Sequence, residues 1–338
     1  MTFKILVSGH LEFGSGRSYE RMLNSFSKSL EIYYKNDVLL KAEEIFNAET
    51  FTMEIPRINV VAADKTWRNT VSLLEMIVQF ATAGSVNAWK LDNGTVLQQV
   101  FLEPHGDKTA VQSFLRGREL ITEGKKDEAR QALSQAIDKF ERHALAYERR
   151  GYVNFMLDNL EDAVYDFSKS ININPHNPEA YAGRALVRMN QRNFAAALVD
   201  LAEALKSSIP HQPIHWKARR LKGECHLERE EFALAEQELR FFTRRAYKKE
   251  DSNYGWRRKA FFNFGKTLLA LGKFKEAVDA FNQAIEIEIG KDNISAAERF
   301  LFRGIALQKA GEEGFKQDLT VAAQAGSERA ARLLAGSL

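Results

Sequence analysis

Two histidines four residues apart form the arrangement in this sequence that comes nearest to a metal site. His211 and His215 would lie on the same side of a helix, and imidazole is a common zinc ligand. Pro210 and Pro213 interrupt any helix at this place, because proline offers no backbone donor, and no third ligand is implied. We therefore expect an ordinary loop here and no bound metal.

A second candidate site is the segment of residues 14–17, which lies between an expected strand and an expected helix. Backbone donors at the start of a helix can hold a phosphate. The segment matches neither the dinucleotide-binding fingerprint nor the phosphate loop with its lysine, and a turn capped by Ser18 explains it without a ligand. An enzyme acting here is a third hypothesis for function, and it predicts thermal stabilisation by a nucleotide.

The remaining reactive side chains do not assemble into a catalytic group. The one cysteine, Cys225, lies in an expected helix, where a buried thiol serves as a small apolar group. A nucleophilic role would need a base, but the adjacent His226 would point about 100° away around the helix. Since no nucleophile, base and orienting group can be assembled, we predict a non-enzymatic protein without a cofactor.

A basic and aromatic segment covers residues 244–259. Tyr247, Tyr254 and Trp256 stand between seven cations, which we call the basic patch: Arg244, Arg245, Lys248, Lys249, Arg257, Arg258 and Lys259. Cationic groups with interleaved rings suit phosphate contacts combined with base stacking. A solvated loop is the default interpretation, and an acidic protein partner or a nucleic acid are the alternatives.

The elements that position these residues follow from a pattern that returns from Gly117 onward at intervals of 34, 34, 38, 42 and 39 residues. Each of the first five copies has a small residue, an alanine twelve positions later, and Leu or Phe four positions beyond the alanine. The small residues are Gly117, Gly151, Ala185, Gly223 and Gly265, and the large ones are Leu133, Phe167, Leu201, Leu239 and Phe281. A period of this size indicates stacked helix pairs that bury one continuous core.

The pattern resembles the tetratricopeptide repeat (TPR) family over about two thirds of the chain. The second copy shows it best, with Tyr147, Gly151, Ala163, Phe167 and Pro175 at the marked places of the family. The resemblance implies an all-α TPR solenoid, a right-handed superhelix, in residues 107–338. We expect five clear repeats there, one degenerate repeat and a C-terminal capping helix.

The resemblance also implies a binding groove, because in this family the first helix of each pair lines the concave side. Carried over position by position, the groove residues are Phe114, Arg118, Glu148, Tyr152, Phe155, Leu186, Met189, Arg220, Glu224, Phe262 and Lys266. Aromatic residues mixed with both signs of charge suit a surface that holds a helix or an extended peptide. Phe155 and Met189 could equally pack between repeats.

Residues 1–106 show a different periodicity and predict an α+β domain. Strands are expected at 3–8, 50–55, 86–91 and 96–102, the last two joined by a turn at 92–94, and helices at 18–34 and 65–80. Residues 38–46 fit either a strand or a helix. The order of these elements suggests a ferredoxin-like sandwich with one extra strand.

Composition sets the remaining bounds on function. The chain is 45% hydrophobic with a formal net charge of +3, and no apolar run approaches the roughly 18 residues that span a bilayer. Since the first residues do not read as a secretory signal, we expect a cytoplasmic protein. We predict a non-enzymatic adaptor or scaffold that binds a peptide or helix of a partner protein. The alternative is an RNA-binding accessory protein that uses the basic patch, and a homo-oligomer is left open.

Overall fold

The computed structural model describes residues 1–104, 108–287 and 290–336 of the 338-residue chain. They form two compact units, Met1–Val187 (unit 1) and Arg188–Leu338 (unit 2), which are described in turn. The predicted boundary between residues 106 and 107 lies outside the described residues, so the division into domains 1–106 and 107–338 stays a prediction.

Unit 1 begins with a five-stranded sheet in which all neighbouring strands are antiparallel. The strands are β1 (Thr2–Glu12), β2 (Phe46–Asn47), β3 (Thr52–Ala63), β4 (Ala83–Asp92) and β5 (Thr95–Leu102). In the order β2-β3-β1-β4-β5, strand β3 lies between β1 and β2, and β4 flanks β1 on its other side. This is the split βαβ order of a ferredoxin-like sandwich with β5 added, so the predicted α+β class is confirmed.

One face of the sheet is covered by helices. The helices of this region are α1 (Gly16–Ser29), the short α2 (Ala42–Ile45) and α3 (Asp64–Val78). Because successive side chains of a strand point to opposite faces, Ile5 and Val7 of β1 share one face, and both are fully buried. They belong to one apolar core with Phe26 of α1 and Trp67 of α3.

Two local predictions for this region need correction. The residue that caps α1 is Ser15, whose extended backbone lets its hydroxyl accept a hydrogen bond from the Ser18 amide, 3.3 Å away. The predicted cap, Ser18, lies inside the first helical turn. Helix α1 also ends at Ser29, and residues Leu30–Tyr34 form a π-helical turn that stops at Lys35, where φ is 48°.

The predicted hairpin between β4 and β5 is present. Asn93 and Gly94 form its tip with φ of 45° and 78°, which are the left-handed angles that a two-residue type I′ turn requires. The turn holds β5 beside β4 at one edge of the sheet.

The helix pairs start directly after the sheet. Unit 1 contains α4 (Lys108–Thr122), α5 (Lys126–Lys139), α6 (Ala144–Met156), α7 (Leu160–Ile173) and most of α8 (Pro178–Asn190). The small residues lie where paired helices cross, because a Cβ added at Gly117 would come 2.7 Å from Leu133 Cγ. At Gly151 the nearest atom of Phe167 would be 3.2 Å away. The crossing inferred from the repeat pattern is therefore confirmed in these pairs.

The sheet and the first repeats belong to one unit because polar contacts join them. Asn174, after α7, donates a buried hydrogen bond of 2.7 Å to Ser85 Oγ in β4. Arg142, in the turn after α5, pairs with Glu12 at the end of β1. His176 lies 3.4 Å from Glu54 of β3.

Unit 2 continues the helix pairs to the end of the described chain. Its helices are α9 (Phe194–Lys206), α10 (Pro213–Glu228), α11 (Phe232–Thr243), α12 (Arg257–Ala270), α13 (Phe274–Glu286), α14 (Ala296–Ala310), α15 (Phe315–Gln324) and α16 (Glu328–Ala335). Gly223 and Gly265 face Leu239 and Phe281 as the pattern predicts. Leu333 and Leu334 of α16 pack against the last apolar core, whereas Leu338 lies outside the described residues.

Candidate functional site

The predicted groove residues at the fifth position of each first helix are buried. In unit 1, Phe114 of α4 is 6% exposed and its ring centre lies 4.7 Å from that of His143. Glu148 of α6 is 4% exposed and lies 3.3 Å from Arg149. Both predicted groove residues are therefore covered by neighbouring side chains in this unit.

The predicted groove residues at the fifth position are buried in unit 2 as well. Phe262 of α12 lies edge-on between two other rings, at 5.7 Å from Phe281 and 5.4 Å from Phe302. Arg220 of α10 is 3% exposed, because it pairs with Glu224 four residues later in the same helix. Neither Phe262 nor Arg220 presents a free surface to a partner.

The ninth position of the first helices is accessible in unit 1. Arg118 of α4 is exposed, Tyr152 of α6 is 37% exposed, and Leu186 of α8 is half-buried. Phe155 follows Tyr152 by three positions, so it lies on the same side of α6, and it is half-buried against the core around Phe167. The accessible part of the predicted surface in unit 1 is therefore aromatic and apolar, with one cation.

In unit 2 the predicted positions are used differently. Glu224 is buried between two cations, since Lys259 Nζ lies 2.9 Å from it and Arg220 pairs with it as well. Lys266 is half-buried, 5.7 Å from the centre of the Phe302 ring, in a cleft of about 500 Å³. Met189 at the end of α8 is half-buried. Of the predicted polar groove residues in unit 2, Lys266 is the one that lines this cleft.

A second cleft, of about 550 Å³, lies within unit 1 between the end of β5 and helix α4. It brings the predicted residues Phe114 and Arg118 together with Phe101 and Glu103, which the repeat pattern could not place. Burial raises the pKa of Glu103 to about 7, against the opposing charge of Arg118. Burial likewise lowers the pKa of His143, which also lines the cleft, to about 4.

The basic patch folds back on the protein. Arg258 lies 3.1 Å from Asp292, and Lys259 is held by Glu224. The ring of Tyr254 carries Arg257 at 3.9 Å, and that of Trp216 carries Arg245 at 4.6 Å. The remaining cations of the patch are exposed: Arg244, Lys248 and Lys249.

The three aromatic rings between the cations, those of Tyr247, Tyr254 and Trp256, also contact other side chains of the protein. Tyr247 is 8% exposed and stacks on Phe242, with ring centres 4.9 Å apart. The Trp256 ring carries Arg220 at 4.4 Å. A nucleic acid base that stacked on these rings would have to displace the protein's own side chains.

An ion pair that bridges helices was missed by the sequence reasoning. Arg150, just before Gly151, makes a two-pronged contact with Asp166, just before Phe167, at 2.7 and 2.9 Å. Arg150 also donates to Ser134 of the preceding helix pair. The signal was present in the sequence, since Arg303 and Asp318, which directly precede Gly304 and Leu319 in the sixth copy, form a similar pair although they are one residue closer in sequence.

The other chemical candidates are structural side chains. Cys225 is fully buried, which raises the pKa of its thiol to about 12. His215 lies inside α10 and hydrogen-bonds Ser208 at 3.1 Å, so its segment is helical from Pro213 onward and not the predicted loop. No helix among the residues that the structure describes is long and apolar enough to cross a membrane.

Comparison with known proteins assigns the helical part of the chain. Two models of the tetratricopeptide repeat match it, one over residues 114–178 and 183–241 and the other over residues 259–288. The human protein SGT1 homolog is 28% identical over 104 residues, which are 31% of this chain and 28% of that protein. Mouse neutrophil cytosol factor 2 is 31% identical over 105 residues, 28% of this chain and 20% of that protein. The chain thus spans less than a third of the length of these relatives.

Solved structures share the fold of about two thirds of this chain. YrrB, described as a TPR protein with an unusual peptide-binding site, superposes with a TM-score of 0.50 at 20% identity, covering 61% of this chain and 98% of YrrB. PilF of Pseudomonas aeruginosa superposes with a TM-score of 0.55 at 15% identity, covering 68% of this chain and 98% of PilF. Together with the glycine crossings in successive helix pairs, the two family models show that residues 114–178, 183–241 and 259–288 are tetratricopeptide repeats.

Proposed function

We propose that the protein is a non-enzymatic adaptor that binds a segment of a partner protein on the inner surface of its repeats. The observation that carries the proposal is the exposed ring of Tyr152 on the first helix of the second repeat. Tyrosine gives a large contact area at a small cost in conformational entropy, and it is enriched among the residues that dominate binding energy. The buried fifth-position residues give this surface a rigid floor.

The relatives support the class of function without naming a partner. The human SGT1 homolog and neutrophil cytosol factor 2 share 28% and 31% identity with this chain over about a hundred residues. YrrB is described as binding peptides, and a peptide or helix is the partner that we infer for this chain. The cytoplasmic location stays a prediction.

Site-specific photocrosslinking tests the proposal directly. A photoreactive phenylalanine at position 152 should crosslink a partner in extract of the source cell, and the partner identified should bind the Tyr152→Ala variant at least tenfold more weakly. Tyr165 is the matched control, because it is a 54% exposed tyrosine on the second helix of the same repeat. Equal crosslinking from positions 152 and 165, or full affinity of Tyr152→Ala, would contradict the proposal.

The basic patch remains the alternative, as a site for RNA. The exposed Arg244, Lys248 and Lys249 favour it, because they are free to contact phosphates. Base stacking is disfavoured, because arginine side chains of the protein already cover the rings of Trp216, Tyr254 and Trp256. Salt dependence separates the two hypotheses, because added salt weakens phosphate contacts but does not screen apolar contacts.

A further inference from the structure

The two edges of the sheet in unit 1 are protected to very different degrees. At one edge, β2 covers only Thr52 and Met53 of β3, but the uncovered part of β3 carries Pro56 and Arg57. Proline removes a backbone donor and an edge charge opposes pairing, and both are common protections against strand addition. Strand β5, at the other edge, contains no proline and no charged residue over its whole length.

The regular part of the β5 edge is residues 98–102. A bulge near Leu97 interrupts the pairing with β4, after which residues 98–102 pair in register with residues 90–86. In an antiparallel pair, alternate residues direct their N–H and C=O groups away from the partner strand. No described strand pairs with the outer side of β5, so these groups form an open edge of about five residues.

The open edge leads into the 550 Å³ cleft beside α4. Three apolar side chains line it while remaining accessible: Phe101, Val111 and Leu115 are 44%, 37% and 52% exposed. Arg118, one turn beyond Leu115, points to the same cleft, and no carboxylate among the described residues lies within 4.0 Å of its guanidinium. The cleft thus offers apolar contacts and an exposed cation that forms no direct ion pair with a described carboxylate, although the carboxyl group of Glu103 lines the same cleft.

We propose that the β5 edge and this cleft bind an extended segment of a partner protein by strand addition. The segment pairs with residues 98–102, places apolar side chains of alternate positions against Phe101, Val111 and Leu115, and brings a carboxylate to Arg118. A second copy of this chain fits less well. Antiparallel self-pairing of β5 would supply an uncharged strand and leave Arg118 without a carboxylate.

This site shares Arg118 with the predicted groove but does not use Tyr152, so the Tyr152→Ala variant tests the proposed function separately from this inference. The probe is a fluorescein-labelled nine-residue peptide with valine at alternate positions, threonine between them and aspartate as its last residue. Fluorescence anisotropy with the full chain should show saturable binding. N-methylation of alternate residues of the peptide, made in both registers, should abolish binding in one register, because it removes the donors that pair with β5.

Variants of the chain connect the binding to the named residues. Arg118→Gln should weaken binding about tenfold, as expected for loss of one charge-assisted contact, whereas Arg116→Gln, an exposed arginine two residues earlier, should leave it unchanged. Gln99→Lys should weaken binding through a charge at the edge, and it serves where Phe101→Lys fails to fold. Tyr152→Ala should have no effect.

Several results would overturn the proposal. They are the absence of saturable binding, equal binding of both N-methylated peptides and the parent, or full affinity of the Arg118→Gln variant. A dimer in sedimentation that Gln99→Lys dissociates would assign the edge to a second copy instead. Loss of peptide binding in the Tyr152→Ala variant would place the peptide on the repeat surface. That result would contradict this inference and leave the proposed function intact.

Discussion

His10 links the sheet of unit 1 to the turns between its repeats through two carboxylates. The side chain is 8% exposed and contacts Glu12 of its own strand and Glu54 of β3. Burial by itself would lower the pKa of His10, but hydrogen bonds and charges from Glu12 and Glu54 outweigh it and raise the pKa to about 9. Burial would raise the pKa of Glu54, yet His10 and His176 lower it to about 2.

These shifts predict how stability changes with pH. Because the pKa of His10 is raised on folding, its contribution is complete below about pH 6.5 and is lost as pH rises through about 9. The contribution of Glu54 is complete above about pH 4.5 and is lost as pH falls through about 2. The difference in melting temperature between wild type and Glu54→Gln should therefore shrink between pH 7 and pH 10. Glu44→Gln, which removes an exposed pair with Lys41, is the control, and parallel curves for Glu54→Gln would refute the assignment.

A glycine that the repeat pattern did not mark makes the tightest contact in the second and third repeats. A Cβ added at Gly183 of α8 would lie under 3.0 Å from the Phe167 ring, whereas one added at Gly151 would lie 3.2 Å away. Gly183→Ala should lower the free energy of unfolding by about 1–3 kcal/mol through overpacking, while the higher helix propensity of alanine should raise it by about 1 kcal/mol. Urea unfolding should show Gly183→Ala less stable than Gly151→Ala, and the reverse order would contradict this packing.

Between paired helices, the Arg150–Asp166 contact is an electrostatic element that not every repeat needs. Asp166 is 1% exposed, and burial raises its carboxyl pKa although Arg150 and Asn154 oppose the change. In the fifth repeat, the same two places are held by Phe264 and Ala280, so an apolar pair satisfies the helix crossing there.

Substitutions at Arg150 and Asp166 test whether the pair stabilises the protein. Arg150→Met should destabilise the protein by about 3 kcal/mol, because it leaves a buried carboxylate without its cation. The double variant Arg150→Phe with Asp166→Ala, which copies the fifth repeat, should recover most of that loss in denaturant unfolding. Equal stability of the single and double variants would mean that Asp166 is protonated or solvated without Arg150.

The elements that were predicted well are those specified by local pattern. The repeat spacing located the helix pairs, and the Asn93–Gly94 turn located the β4–β5 hairpin, because each depends on residues close in sequence. Residues 38–46 stayed ambiguous because a four-residue helix and a two-residue strand are too short to show a period. The cleft beside α4 could not be predicted, since it needs the tertiary placement of β5.

The exposure of the candidate groove residues could not be predicted from the sequence. Family positions placed Phe114 and Tyr152 on the inner surface alike, but only Tyr152 is accessible. The difference comes from neighbours distant in sequence, such as His143 stacking on Phe114. For the same reason the contacts of the basic patch with the rest of the protein could not be predicted. Arg245 lies over the ring of Trp216, which is distant from the patch in sequence.

At the scale of the whole molecule, the net positive charge would favour binding of a nucleic acid only if the cations of the basic patch are free to contact phosphates. Four of the seven cations of the basic patch are engaged with carboxylates or rings, and three are exposed: Arg244, Lys248 and Lys249. Each phosphate contact to a single strand contributes about −0.7 to the slope of log binding constant against log salt concentration. Three contacts give a slope of about −2, and seven would give about −5.

We therefore expect weak binding of a fluorescein-labelled oligouridylate, with a slope no steeper than about −2. Charge reversal by Lys248→Glu with Lys249→Glu should remove most of this binding, because these cations are exposed and a repulsive charge replaces each. The partner crosslinked from position 152 should bind the same double variant normally and should respond little to salt, since apolar contacts are not screened. A slope near −5 would show that the patch opens on binding, because the engaged cations would then have left Asp292, Glu224 and the rings for phosphates. That result would make the nucleic acid the ligand and the repeat surface secondary.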